Sequence, residues 1–116
     1  MKKTLPLEIE RKFLIEMPDT GWLVSQPGCR VRRISQTYLI KEGEYRARVR
    51  KSITDGAVTY TYSAKKHLTD MTRVEVEQEI DEAAYLTHLA QRDPGRSTIE
   101  KVRYAFPYEG HVIEVD

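Results

Sequence analysis

Glu8, Glu10 and Lys12 occupy alternate positions in the run Glu8-Ile9-Glu10-Arg11-Lys12-Phe13. On a β-strand, side chains two apart share a face, so both carboxylates and the amine point one way. Carboxylate oxygens suit a hard divalent cation, and an ammonium group grips phosphate oxygen as a point charge. The same two-residue spacing returns in Arg46, Arg48 and Arg50, then in Glu75, Glu77 and Glu79, with Lys65, Lys101 and Arg103 on further polar faces. Cations concentrate on some segments and carboxylates on others. If the sheet curls with these faces inward, a basic wall and an acidic wall line one cavity, which suits a polyphosphate with its metal. Catalysis there would come from charge neutralisation and from orienting an in-line water or hydroxyl.

The elements that must position these groups are mostly strands. Residues 5–15 alternate, with Leu7, Ile9, Phe13 and Ile15 on the apolar side, and predict a first strand. Breakers from Pro18 to Gly28 follow, with a short helical turn around Trp22 to Ser25. Ile34 to Ile40 predicts a second strand and Tyr45 to Lys51 a third. Asp55-Gly56 predicts a tight hairpin into a strand in which Val58, Tyr60, Tyr62 and Ala64 oppose Thr59, Thr61, Ser63 and Lys65. A strand around Val74 to Ile80 carries the glutamates. Asp81 caps a predicted helix from Glu82 to about Arg92, with an apolar stripe of Ala83, Leu86, Leu89 and Ala90 and a stop at Asp93-Pro94-Gly95. Strands over Thr98 to Tyr104 and His111 to Val115 complete a mainly β, α+β chain with one prominent helix.

With 116 residues the chain is sized for one domain. Its 19 lysines and arginines against 18 acidic residues exclude a polybasic nucleic-acid arm. Cys29 is the only cysteine, so neither an intrachain disulfide nor a zinc thiolate cluster is available, and a cytoplasmic setting is expected. No apolar run reaches membrane-spanning length, and no glycine-rich phosphate loop or Ser/His/Asp set is present. His67, His88 and His111 lack metal-ligand spacing and are expected at the surface or in packing. Arg30, Arg32 and Arg33 read as a solvated turn, with a basic entrance as the alternative; Arg46, Arg48 and Arg50 could instead form a cross-strand ion ladder with Glu75 to Glu79, and Arg50 is the most structural of the three.

Glu8-x-Glu10-x-Lys12-Phe13 resembles the ExExK signature of the CYTH domain, the triphosphate tunnel metalloenzymes. Gln36-Thr37-Tyr38-Leu39, Tyr45-Arg46-Ala47-Arg48, a strand ending at Lys65, Arg73-Val74-Glu75-Val76-Glu77 and Glu100-Lys101-Val102-Arg103-Tyr104 follow in the family's order, so the resemblance spans nearly the whole chain.

The resemblance implies an antiparallel β-tunnel or barrel whose members cleave or cyclise triphosphates with Mg²⁺ or Mn²⁺. It makes Glu8, Glu10, Glu75, Glu77 and Asp116 candidate metal ligands. It makes Lys12, Arg46, Arg48, Lys65, Lys101 and Arg103 candidate substrate contacts, and Lys12, Tyr38 and Lys101 candidate catalytic residues. Family members continue past the strand that His111 to Asp116 resembles, so residues 1–116 are expected to form a single CYTH-like domain lacking its C-terminal strands. Strand edges left open in this way favour a homodimer. The expected partner is a triphosphate-containing small molecule, with neither nucleic acid nor membrane. Inorganic tripolyphosphate is the leading substrate. An adenylate cyclase or thiamine triphosphatase of the same fold, and a non-catalytic polyphosphate or nucleotide-binding module, are the rivals.

Overall fold

A computed structural model describes residues 7–9, 12–68 and 72–116. In chain order the elements are β1 (Leu7–Ile9), α1 (Thr20–Ser25), β2 (Arg30–Tyr38), β3 (Arg46–Thr54), β4 (Ala57–His67), β5 (Thr72–Ile80), α2 (Glu82–Leu89), β6 (Ile99–Tyr108) and β7 (His111–Val115). The strands form one antiparallel sheet in the order β1-β5-β4-β3-β2-β6-β7. It is an open, curled sheet, a half-barrel whose described edges are β1 and β7. Among the described residues no helix is long and apolar enough to cross a membrane.

Two hairpins fix the register by the same chemistry. Asp55 and Gly56 both have positive φ (51° and 79°), as do Glu109 and Gly110 (47° and 77°). Two consecutive left-handed residues match the right-handed twist of the flanking strands, and glycine takes that backbone without steric cost. Thr54 therefore pairs with Ala57, and Tyr108 with His111.

Residues directly paired across an antiparallel sheet share a face, so the register sorts the side chains. Arg48 pairs with Tyr38 and Ser63, Arg46 with Lys65, Lys65 with Glu75, Ser63 with Glu77 and Ile34 with Lys101. All of these lie on one face. The opposite face carries two apolar clusters, and a helix packs into each. Leu23 of α1 packs with Phe106 and Val115, and Tyr85 of α2 packs with Leu39 and Val49. Among the described residues neither helix packs on the charged face.

Several boundaries differ from the sequence reading. The first strand is described over Leu7–Ile9, paired with Thr72 to Val74, and the rest of its expected span up to Arg11 lies outside the described residues. Lys12 to Asp19 has no regular structure, and Phe13, expected on an apolar strand face, is 79% exposed. The second strand begins earlier than expected, at Arg30, because β6 supplies partners for Arg30 to Gln36. Arg30 and Arg32 are therefore strand residues, not a turn. Two helices form, each N-capped by an aspartate: Asp19 accepts from the Trp22 amide at 3.1 Å and Asp81 from the Ala84 amide at 2.8 Å.

The buried stripe of α2 is also rotated from the expected one. Ala83, Leu86 and Ala90 are exposed, whereas Tyr85 is buried and His88 and Leu89 are half-buried. Aromatic contacts decide this orientation, since Tyr85 packs on Tyr60 (centroids 4.9 Å apart) and His88 stacks on Tyr62 (4.9 Å).

Candidate functional site

Lys12, Tyr38, Arg46, Arg48 and Lys65 converge on one cavity of about 140 Å³, together with Ser63 and His67. Lys12 arrives from the irregular segment after β1. Tyr38 ends β2, Arg46 and Arg48 open β3, and Ser63, Lys65 and His67 lie at the far end of β4. Adjacent antiparallel strands bring the end of one beside the start of the next, so residues far apart in sequence meet here.

The cations are aimed by specific partners. Arg48 Nε donates to Ser63 Oγ at 3.3 Å, and Arg46 Nη1 donates to Asp93 Oδ2 at 3.4 Å. Lys65 Nζ lies 3.9 Å from Glu75 Oε1. Arg46 and Arg96 both approach the Tyr38 ring, at 6.0 and 4.6 Å from its centroid. Burial pushes the Tyr38 phenol up, but the charge and hydrogen bond of Arg48, then the charges of Arg96 and Lys12, outweigh it and hold the phenol below its ordinary value.

Asp93 and Arg96 were not among the sequence candidates. The segment after α2 binds the end of β2, through Ile40 N to Gln91 O at 2.9 Å and Asp93 N to Tyr38 O at 2.9 Å. A turn in which Gly95 N donates to Asp93 Oδ1 then carries Arg96 over Tyr38. Asp93-Pro94-Gly95 announces the turn in sequence, but nothing local announces its destination. His67, expected in a surface or packing role, lines the cavity as well.

Lys101 and Arg103 stand on the same face but on β6, beyond β2. Asp116 holds both: Lys101 Nζ donates to its Oδ2 at 2.7 Å, and Arg103 donates through Nε (2.7 Å) and Nη2 (2.9 Å). This two-pronged bond to Arg103, with the Lys101 contact, keeps the Asp116 carboxyl well below the usual carboxylate range against the opposing effect of burial.

The remaining metal candidates lie on the same face, on strands β5 and β1. Glu75 and Glu77 alternate on β5, and Glu8 takes the β1 register position opposite Arg73, in line with them. Glu10 lies outside the described residues. Among the described residues no group of three or more His, Cys, Asp or Glu gathers closely enough to hold a metal alone. The donor chemistry still fits Mg²⁺ or Mn²⁺, since a hard ion commonly uses one or two carboxylates and takes its other oxygens from phosphate and water. Asp116, engaged by Arg103 and Lys101, stands apart from this set.

Comparison with protein-family models, with curated proteins and with solved structures found no match to this chain.

Proposed function

We propose that this protein is a divalent-metal-dependent triphosphatase of the CYTH tunnel type, acting on inorganic tripolyphosphate in the cytoplasm. The observation that carries the reading is the convergence of Lys12, Arg46, Arg48 and Lys65 with Tyr38 around one cavity, on the face that also bears Glu75 and Glu77. Guanidinium groups bind phosphate oxygens in pairs, and ammonium groups add charge without fixed geometry. Arg46 and Arg48, braced by Asp93 and Ser63, orient the chain of phosphates, while Lys12 and Lys65 neutralise charge that grows on the leaving group.

Glu8, Glu75 and Glu77, with Glu10, would hold Mg²⁺ or Mn²⁺, which when bound neutralises phosphate charge and polarises the phosphoryl oxygens. Tyr38, with its lowered pKa, is the group we assign to position the attacking water, with Lys101 on the same face. Further strands or a second copy meeting the open edges would complete the tunnel.

A second reading, a non-catalytic polyphosphate-binding module, is favoured by one feature: Asp116, a candidate metal ligand, is committed to Arg103 and Lys101. Product analysis with tripolyphosphate, ATP and thiamine triphosphate side by side, each with Mg²⁺ or Mn²⁺, tests the assignment. Preferential phosphate release from tripolyphosphate supports it. Cyclic nucleotide from ATP would move it to the cyclase reading, and metal-independent binding without turnover to the module.

A further inference from the structure

Toward the opposite end of the same strands, a second cavity of about 230 Å³ opens. Arg30 and Arg32 of β2, Arg50 of β3, Thr59 and Thr61 of β4 and Glu77 of β5 line it. Its three arginines belong to none of the phosphate contacts assigned above. No lining residue is aromatic.

Arg50 is the centre of this cavity's electrostatics. One end of its guanidinium donates to Gln36 Oε1 at 2.8 Å, but its Nε is buried without a hydrogen-bond partner among the described residues. A buried donor left unsatisfied keeps its desolvation penalty uncompensated, which a ligand oxygen relieves. Burial first, and then the positive charges of Arg48, Arg103 and Arg32, push the Arg50 pKa down to about 10, with the Glu77 charge opposing. Three guanidinium groups and one carboxylate, Glu77, line the cavity, an excess of positive charge that an arriving anion reduces.

We propose that this second cavity is an anion site in its own right, taking a phosphate group on the guanidinium groups of Arg30, Arg32 and Arg50 and the hydroxyls of Thr59 and Thr61. Guanidinium groups supply paired donors matched to phosphate oxygens, and the threonine hydroxyls donate to the oxygens that remain. The inference goes beyond the triphosphatase reading and requires no turnover.

Amide NMR of the full chain titrated with inorganic phosphate tests it. Two sets of shifts are expected, one around Tyr38, Arg48 and Lys65 and one around Arg50, Thr59 and Thr61, saturating at different concentrations. Arg32→Gln, at an exposed position, should weaken the second roughly tenfold and leave the first within about twofold. Arg50→Gln should weaken the second further. Because Arg50 is partly buried, Arg32→Gln decides the matter if the Arg50 variant does not fold. A single set at the Lys12 cavity, or an unchanged second set in Arg32→Gln, overturns the proposal. Tripolyphosphate hydrolysis with shifts at the Lys12 cavity only would contradict this inference alone, whereas two sets without hydrolysis support it and contradict only the enzymatic reading.

Discussion

The guanidinium carbon of Arg96 lies 4.6 Å from the ring centroid of Tyr38, with Arg46 flanking the same ring at 6.0 Å. The phenolate of Tyr38 is stabilised by this surrounding charge, and by Arg48 most of all among the cations. On raising the pH, Tyr38 should ionise before Tyr60, which is pushed up chiefly by its hydrogen bond to Glu82, and before Tyr85, pushed up chiefly by burial. NMR of ring-labelled tyrosine reads this order directly. Arg48→Gln should move the Tyr38 transition upward, and an unmoved transition would remove Arg48 as its cause.

Asp116 gives a stability prediction with a defined sign. Its folded pKa is depressed, so its contribution is present above the ordinary carboxylate pKa and is lost as pH falls through the folded value. Asp116→Asn should cost roughly 1 kcal/mol at neutral pH, discounted for solvent exposure. The gap from the unmodified protein should narrow steadily in acid. Urea unfolding at a series of pH values measures it, and a pH-independent gap would contradict the ion-pair account.

The rotation of α2 is testable by packing. Tyr85→Ala removes a buried ring from the cluster with Leu39 and Val49 and should cost about 3–5 kcal/mol. Leu86→Ala, on the exposed side, should change stability by no more than about 0.5 kcal/mol. Equal losses would return the helix to the stripe expected from sequence.

Period-two alternation made the charged face legible in sequence. Arg46, Arg48, Lys65 and Glu75 land on one side of the sheet because strand geometry leaves them no other. The core tyrosines Tyr60 and Tyr62 were legible for the same reason, being the opposite phase of β4. What alternation cannot convey is where a strand finds a partner. The apolar phase through Phe13 and Ile15 promised a continuing strand, but Lys12 to Asp19 has no regular structure. Arg30 and Arg32 looked like a turn until β6 recruited them, and that recruitment places them beside Arg50 in a cavity. Asp93 and Arg96 reach Tyr38 only through backbone bonds between the segment after α2 and the end of β2, a contact between sites far apart in sequence.

The central claim is that the cations around the Lys12 cavity grip a triphosphate for metal-assisted cleavage. Phosphate release from tripolyphosphate with Mg²⁺ or Mn²⁺, compared among the unmodified protein, Lys12→Ala, Arg48→Gln and Glu10→Gln, tests it most directly. The account predicts metal-dependent release that falls by roughly two orders of magnitude or more in each variant, as expected when a group that stabilises transition-state charge is lost. Normal release in all three variants, or none from the unmodified protein at saturating metal and substrate, would contradict it.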